Sequence, residues 1–263
     1  IKSGNPVFDL EMLRALPVEE PRRSQVVILS PRNSEFRPAP QGEFEQYASF
    51  DRDGRYCIGA DVSEGLEHGD FSSAHVIEAR SGMVVAHWHG HIDPDIFASV
   101  LAEIGWKYGN ALIGVESNNH GLTTLKALQR YGYKNIYRQR RLAQRTSDPT
   151  EILGWRTTVQ SKPLAVDELN AAIRDKALEL RCERTIAEMR TFVRDPNGRT
   201  HGSPFDDRVM SLAIANQMLK YVWLPEYLEE RKPDKWTLGW FERWMEDTES
   251  GYQPVPIGVH NVR

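Results

Sequence analysis

Four acidic residues stand where they could hold metal ions. Asp61 and Glu116 each end a short apolar run, and Asp206 and Asp207 together open the last helix that the sequence predicts. Carboxylate oxygens are hard ligands that favour Mg²⁺ or Mn²⁺ over zinc. Two such ions, about 3.5 to 4 Å apart, can activate a water and stabilise the leaving oxygen of a phosphodiester. If the four side chains meet, they predict a site for phosphodiester hydrolysis; the alternative for the aspartate pair is a simple helix cap.

The elements that must bring these acids together can be read from the spacing of apolar residues. The apolar run Tyr56–Val62 predicts a buried strand. The segments Ser73–Ala79 and Met83–Ile92 are rich in β-formers and flank a glycine turn, so they predict a hairpin. Asp93 and Pro94 supply an N-cap and a first helical position for the helix that follows. Three strands and a helix therefore open the core.

The second half of the chain alternates strands and helices. The predicted elements are a strand at Ala111–Glu116 followed by a helix, a short fifth strand at Asn135–Tyr137, a hairpin between Arg138 and Gln160, and helices that begin near Ser161, Thr185 and Val209. Because parallel neighbouring strands end at the same edge of a sheet, Asp61 and Glu116 can converge although 55 positions separate them. Acids after the first strand, after the fourth strand and on the last helix are the layout of the ribonuclease H-like fold. The expected fold class is α/β, with a mixed five-stranded sheet flanked by helices, an inserted hairpin and a C-terminal helical extension.

Three ordered segments that contain these acids also resemble a known protein family. They are Ile58–Gly65 with Gly69–Ser72 behind it, Val115–Gly121, and Phe205–Ala215. These segments are similar to the three nuclease motifs of the large terminase subunits of tailed bacteriophages, the motors that package viral DNA. The stretch Gly154–Thr157 also resembles that family, and the resemblance extends from about Glu43 to Lys220.

The resemblance implies an activity and a set of metal ligands. It implies a metal-dependent endonuclease that cuts concatemeric double-stranded DNA during viral genome packaging, by two-metal-ion hydrolysis in the cytoplasm of the infected bacterial host. Asp61, Glu116 and Asp207 would hold two Mg²⁺ or Mn²⁺ ions, with Asp61 between them and Asp206 as an additional or alternate ligand. Many family members have a histidine where this chain has Phe205, and this departure leaves the assignment within the aspartate pair open.

The resemblance also implies a division of the chain and a set of partners. Residues 1–42 would be a proline-rich linker or lead-in with one short helix at Leu10–Leu16, residues 43–220 the nuclease domain, and residues 221–263 a C-terminal extension. No G-x-x-x-x-G-K-[ST] phosphate loop is present, so ATP binding is not expected within the chain, which is expected to be a fragment that follows an ATPase domain. The expected partners are double-stranded DNA, the portal and the small terminase subunit. The alternatives are a related ribonuclease H-like resolvase or ribonuclease, or a catalytically silent docking module of a packaging motor.

The composition restricts the class of protein. The 263 residues are 40% hydrophobic and 27% charged, and no apolar run approaches the ~18 residues that cross a bilayer. The net charge of -4 comes from the segment 226–250, which holds eight acidic and four basic residues. Cys57 and Cys182 lie 125 positions apart, with no Cys or His partner at metal spacing. The sequence therefore predicts a reducing compartment, no disulfide framework, no zinc knuckle and no membrane contact.

Arginines crowd the start of the predicted hairpin, and further basic residues follow. The residues expected to contact DNA are Arg138, Arg140, Arg141, Arg145, Arg156 and Lys162. Such a cluster can bind phosphates without reading the base sequence. The alternative is a solvated hairpin edge whose charge prevents aggregation.

Two further patterns point to functions outside the acidic motifs. His87, His89 and His91 share one face of a strand and could bind zinc, although no fourth ligand is visible in the sequence; the alternative is a solvated or partly packed strand face. The aromatic residues of the tail have the spacing of an amphipathic helix that docks on the core or on a partner protein. They are Trp236, Trp240, Phe241 and Trp244.

Overall fold

The structure is a computed structural model and describes residues 5–29, 35–66, 69–142 and 149–223. Within these ranges the strands are β1 (Asn5–Pro6), β2 (Arg23–Ile28), β3 (Glu35–Pro38), β4 (Phe44–Gln46), β5 (Tyr56–Asp61), β6 (Ser72–Glu78), β7 (Val84–Gly90), β8 (Leu112–Val115), β9 (Arg138–Leu142), β10 (Pro149–Leu153), β11 (Val193–Arg194) and β12 (Thr200–His201). The helices are α1 (Leu10–Ala15), α2 (Pro94–Lys107), α3 (Asn119–Arg130), α4 (Ser161–Arg174), α5 (Glu183–Arg190) and α6 (Asp207–Met218).

A mixed sheet forms the centre of the described residues, with seven strands in the order β3-β2-β4-β7-β6-β5-β8. The strands β5, β6 and β7 form an antiparallel meander, and β8 pairs with β5 in parallel. On the other side β4 pairs antiparallel with β7, and β2 and β3 extend the sheet. The strands β9 and β10 form a separate hairpin, and β1, β11 and β12 form a small second sheet. The predicted α/β class, mixed sheet and inserted hairpin are therefore confirmed.

Two details of the predicted sheet are wrong. The sheet has seven strands rather than five, because three strands that precede Tyr56 join it, two of them from the segment 1–42 that the sequence predicts as an irregular lead-in. Pro38 ends β3, which lies at the edge of the sheet, where proline is tolerated because no neighbouring strand needs its missing N–H. The predicted fifth strand at Asn135–Tyr137 forms only an isolated parallel bridge, between Ile113 and Ile136.

The short helix predicted at Leu10–Leu16 is present as α1. Its N-cap is Asp9, whose side chain accepts a hydrogen bond from the Glu11 N–H at 2.8 Å. Phe8 and Leu13 are buried in the same cluster as residues of β5, α4 and α6. This part of the lead-in is thus packed on the core.

Helices cover both faces of the sheet. Successive residues of a strand point to opposite faces. In β5, Cys57 packs with residues of α4, α5 and α6, whereas Ile58 packs with residues of α2 and α3. Both faces of the central strands are therefore buried, which explains why β5 is a continuous apolar run in the sequence and does not alternate.

The last helix lies close against the strands that carry the predicted acids. Gly59 allows this approach, since a Cβ there would lie 2.0 Å from the backbone nitrogen of Ala215 and 2.3 Å from the carbonyl oxygen of Ser211. Gly114 on β8 leaves room for the Met218 side chain in the same way. Glycines in the strands and small residues in the helix thus seat α6 beside the edge where β5 and β8 end.

The end of the chain lies outside the described residues. Residues 224–263 include the four tail aromatics and most of the expected extension at 221–263. The division of the chain at residues 43 and 221 therefore stays a prediction. Among the described residues, no helix combines the length and the apolar character that crossing a membrane requires.

Candidate metal centre

Asp61 and Glu116 lie together at one edge of the sheet. The strands β5 and β8 run parallel, and their last paired residues are Ala60 and Val115. The N–H of Glu116 donates to the Ala60 carbonyl at 2.9 Å. The two acids therefore directly follow paired positions, and the structure brings together the carboxylates that the sequence places at the ends of these strands.

The start of α6 brings Asp206 and Asp207 to the same edge. Asp206 occupies the N-cap position, but its side chain makes no capping hydrogen bond and instead accepts one from Lys162 Nζ at 2.8 Å. Asp207 is only 5% exposed, and one of its oxygens accepts a hydrogen bond from the Phe71 N–H at 3.3 Å. The capping alternative therefore accounts for neither side chain, and Lys162, predicted to contact DNA, is paired with an acid of the site.

The charges of these acids act on one another. Burial raises the pKa of Asp61 well above its ordinary value, and Glu116, through its charge and a hydrogen bond, raises it further, as do the charges of Asp207 and Asp206. Burial also raises the pKa of Asp207, to about 7, and the charges of Glu188 and Asp206 add to the shift. Repulsion of this kind is relieved by a bound cation. The electrostatics of the edge therefore favour a divalent ion.

The three acids Asp61, Glu116 and Asp207 are not one compact group of ligand atoms. Among the described side chains, Asp61, Glu116 and Asp207 do not form a group whose ligand atoms all lie within 4.8 Å of one another. Two ions about 3.5 to 4 Å apart need a wider set of ligands than one ion does. The donors are all carboxylate oxygens, which fit Mg²⁺ or Mn²⁺.

Asn118 connects Glu116 to the helix that follows it. Its Nδ2 donates to Glu116 Oε2 at 3.0 Å, and its Oδ1 accepts a hydrogen bond from the Gly121 N–H at 2.7 Å. Gly121 must lack a side chain, since a Cβ there would lie 1.7 Å from the Glu116 carbonyl oxygen. One asparagine thus caps α3 and orients a carboxylate of the site.

A fifth acid near the site is not visible in the sequence. Glu188 on α5 is buried, accepts a hydrogen bond from the Val209 N–H at 3.0 Å and pairs with Arg208 at 3.3 Å. Its charge is the largest contribution after burial to the raised pKa of Asp207. No motif distinguishes Glu188 from a surface acid of a helix, because only the packing of α5 on α6 brings it here.

The arginine-rich hairpin ends beside Glu116. Trp155, which follows β10, pairs with the end of β8: its N–H donates to the Val115 carbonyl at 2.7 Å, and its carbonyl accepts from the Ser117 N–H at 2.7 Å. Arg156 comes next and is exposed. The chain therefore leaves the hairpin along the acidic edge.

Two of the arginines predicted to contact DNA share one face of this hairpin. Arg138 and Arg140 are exposed at alternate positions of β9. Arg140 pairs across the hairpin with Glu151 at 3.6 Å. Arg145 and the side chain of Arg141 lie outside the described residues.

The three histidines of β7 and its end do not form the zinc site considered as an alternative. His87 is buried, whereas the rings of His89 and His91 both pack against Phe71, at centroid distances of 4.3 Å and 3.9 Å. Within the part of the chain that the structure describes, these three imidazoles do not gather as ligands of one ion. His89 and His91 thus share an aromatic contact.

The fold is found in solved structures of other proteins. No protein-family model matches the chain, and no curated protein does. The large terminase nuclease from thermophilic phage G20c matches with a TM-score of 0.57 at 18% identity, covering 81% of this chain and 98% of that one. The same nuclease with bound magnesium gives a TM-score of 0.58 at 18% identity, with 82% and 98% covered. The large terminase nuclease domain of Thermus phage P74-26 gives 0.55 at 19% identity, with 81% and 95% covered.

These similarities establish the fold. The chain has the ribonuclease H-like fold of large terminase nuclease domains, as the order of its motifs predicts. Further structures of the G20c nuclease contain bound cobalt and bound zinc.

Proposed function

We propose that this chain is a metal-dependent endonuclease that cleaves double-stranded DNA during viral genome packaging. The observation that carries the proposal is the meeting of Asp61, Glu116 and Asp207, from two strands and a helix, at one edge of a ribonuclease H-like sheet. The structural neighbours support it, because they are large terminase nucleases and one of them contains bound magnesium.

The carboxylates would have different roles in two-metal-ion hydrolysis. Asp61, whose pKa responds to both Glu116 and Asp207, would lie between the ions, and Asp206 would be an additional ligand. When bound, two Mg²⁺ or Mn²⁺ ions supply an activated water and stabilise the charge on the leaving oxygen. Asn118 would keep the Glu116 carboxylate turned toward the site.

Basic side chains beside the acids would hold the DNA. The residues of this proposed surface are Arg138, Arg140, Arg141, Arg145, Arg156 and Lys162. The pairing of Trp155 with the end of β8 supports it, because it places the base of the hairpin next to Glu116. Contacts to phosphates fix the position of DNA without selecting a sequence. Lys162 would reach a phosphate once metal binding draws Asp206 away from it.

The proposal extends to the setting of the reaction. The DNA would be concatemeric and cut in the cytoplasm of an infected bacterial host, by a longer protein with an ATPase domain upstream that meets the portal and the small terminase subunit. The support is that the structural neighbours are domains of large terminases. Residues 43–220 would form most of the nuclease domain, with the strands from residues 23–38 added, and residues 221–263 would follow as an extension.

A plasmid-cleavage assay tests the nuclease proposal. Supercoiled plasmid is incubated with the chain and Mn²⁺ or Mg²⁺, beside Asp61→Asn and the control Asp53→Asn, which changes an exposed acid in the turn before β5. We expect cleavage by the wild type and the control and almost none by Asp61→Asn. Cleavage unaffected by Asp61→Asn would refute its role, and no cleavage with either ion would favour the docking module.

Two further substrates separate the related enzymes. An RNA–DNA hybrid and a four-way DNA junction are incubated under the same conditions as the plasmid. We expect duplex DNA to be cut at least as fast as either. A clear preference for the hybrid would favour a ribonuclease, and a clear preference for the junction would favour a resolvase.

A further inference from the structure

A second group of potential metal ligands lies in the core, apart from the acidic edge. Glu45 on β4 is paired with His87 on β7, and Cys182, the N-cap residue of α5, lies beside them. The ligand atoms of the three side chains all lie within 4.8 Å of one another, and each residue is at most 3% exposed. His87 and Glu45 lie two and three interstrand spacings from the strand of Asp61, which is roughly 10 to 14 Å at about 4.8 Å per spacing.

His87 is the member of the group that the fold leaves without a partner. Neither ring nitrogen has a hydrogen-bond partner among the described residues, although the side chain is buried. His75, whose ring lies 4.5 Å away, has both nitrogens satisfied, by Ser211 at 2.9 Å and Thr185 at 3.1 Å. Burial lowers the pKa of His87 well below its ordinary value, so its imidazole is neutral and can offer a lone pair. Buried polar groups normally have a hydrogen-bond partner. The unpaired Nδ1 of His87 lies 3.9 Å from Glu45 Oε2, and a metal ion bound between the two atoms would satisfy both.

Glu45 turns one oxygen outward and the other inward. Its Oε1 is held at 2.9 Å by Arg184, whose side chain is more than half exposed. Its Oε2 faces His87 and accepts a hydrogen bond from the Tyr47 hydroxyl at 3.0 Å. Cys182 also raises the pKa of the Tyr47 hydroxyl, so one phenol borders an oxygen ligand and a sulfur ligand. Outer partners of this kind orient the ligands of metal sites.

We propose that Glu45, His87 and Cys182 bind one divalent ion of the zinc class, Zn²⁺ or Co²⁺, through Oε2, Nδ1 and Sγ. A carboxylate, an imidazole and a thiolate form a donor set that suits these ions and not Mg²⁺. With tetrahedral bonds of about 2.0 to 2.3 Å, ligand atoms stand roughly 3.3 to 3.8 Å apart, so the 3.9 Å between Nδ1 and Oε2 needs little contraction. A water or the Tyr47 oxygen takes the fourth position.

Cys182 decides whether the ion binds. Arg184 already neutralises the charge of Glu45, so a buried divalent ion also needs the negative charge of a thiolate. Binding breaks the S–H bond, forms a metal–sulfur bond and releases the proton to solvent, with no change of oxidation state. The ion joins β4, β7 and α5. Because α5 carries Glu188, which pairs with Arg208, the ion also steadies the first turn of α6.

Cobalt spectroscopy distinguishes this site from the acidic edge. The full chain, freed of metal with a chelator, is titrated with Co²⁺, because a thiolate ligand gives cobalt a near-ultraviolet charge-transfer band that carboxylates alone do not. We expect the band in the wild type, in Asp61→Asn and in the control Cys57→Ser, which changes a buried thiol that donates to the Ala215 carbonyl. Cys182→Ser should lose the band and bind Co²⁺ at least about tenfold more weakly.

Two results of the cobalt titration would overturn the proposal. One is a folded wild-type chain without the charge-transfer band, and the other is a band that survives in Cys182→Ser. X-ray absorption of Asp61→Asn loaded with one equivalent of Zn²⁺ gives a check that leaves the three ligands intact: we expect a sulfur neighbour at about 2.3 Å, and a shell of nitrogen and oxygen alone would also overturn it. A failed plasmid assay does not affect these measurements, because neither depends on Asp61.

Discussion

Removing the charge of Asp207 is expected to stabilise the metal-free protein while abolishing cleavage. This carboxyl is only 5% exposed, and its pKa rises from 3.8 to about 7 on folding. The folded protein therefore holds this proton more tightly than the unfolded chain does. The stabilisation that the proton provides is complete below about pH 4 and is lost as the pH rises toward about 7.

The magnitude follows from the size of the pKa change. A difference of about three pKa units, at about 1.4 kcal/mol each, corresponds to about 4 kcal/mol. The free energy of unfolding should fall by about 1.4 kcal/mol per pH unit between about pH 4 and 7 because of this group. Asp207→Asn removes the charge and keeps an oxygen that can accept from the Phe71 N–H. The variant should match the wild type near pH 4 and exceed its stability by up to about 4 kcal/mol near pH 8.

Urea unfolding in the presence of a chelator, from about pH 4 to 8, measures this difference. Asp53→Asn, at an exposed turn, is the control and should unfold like the wild type at every pH. Saturating Mg²⁺ should narrow the gap at high pH, because a ligand stabilises only the form that binds it. An Asp207→Asn variant that is no more stable than the wild type near pH 8 would refute the reasoning, and an equal gap near pH 4 would assign the effect to packing.

Three further predictions concern the elements around the site. Gly59→Ala should lower the free energy of unfolding by more than about 2 kcal/mol, since the added Cβ would lie 2.0 Å from a backbone nitrogen of α6. Urea unfolding measures this change, and Gly69→Ala, where the nearest atom is 3.3 Å from the added Cβ, is the control. Equal stabilities of the two variants would contradict the prediction. Asn118→Ala should lower the free energy of unfolding by about 1 kcal/mol, because the cap of α3 is lost, and it should cleave plasmid more slowly. Asn118→Asp should keep the cap but still cleave slowly, because an aspartate cannot donate a hydrogen bond to Glu116. Wild-type cleavage rates in both variants would exclude an orienting role for Asn118. Arg138→Ala should weaken DNA binding and reduce the slope of log affinity against log salt by about one, as measured by fluorescence anisotropy, and an unchanged slope would exclude a phosphate contact.

The acidic edge could be predicted because the signals for it are local. Asp61 and Glu116 each follow the apolar run that a fully buried strand requires, and parallel pairing brings the ends of such strands together. The sequence does not decide between Asp206 and Asp207. In the structure Asp206 is paired with Lys162, whereas Asp207 accepts a hydrogen bond from the Phe71 N–H. These partners depend on how α6 packs against β5.

The strands before β5 could not be predicted in the same way. Proline argues against a central strand but is tolerated at an edge. Pro38 belongs to β3, the edge strand, and the sequence alone does not tell which strand will lie there. The position of a strand within the sheet is set by long-range pairing, and the prolines of residues 1–42 are therefore poor guides.

The group of Glu45, His87 and Cys182 could not be predicted, because its members lie far apart in the sequence. Metal motifs are recognised by short spacings, but 42 positions separate the first two residues and 95 the last two. The sequence shows that His87, His89 and His91 share a strand face, yet not which of them is buried. Packing decides this: it buries His87 beside Glu45 and Cys182, whereas His89 and His91 pack against Phe71.

The two strands from residues 23–38 also determine where the chain can be shortened. The rings of Phe36 and Phe44 lie 5.2 Å apart, and Phe44 is wholly buried. A truncated chain that begins at Glu43, where the motif resemblance begins, would uncover Phe44 and leave one side of β4 without backbone partners. Because unpaired strand edges can pair with other chains, we expect such a fragment to self-associate, and a shortened chain should begin upstream of Arg23 to keep this edge covered.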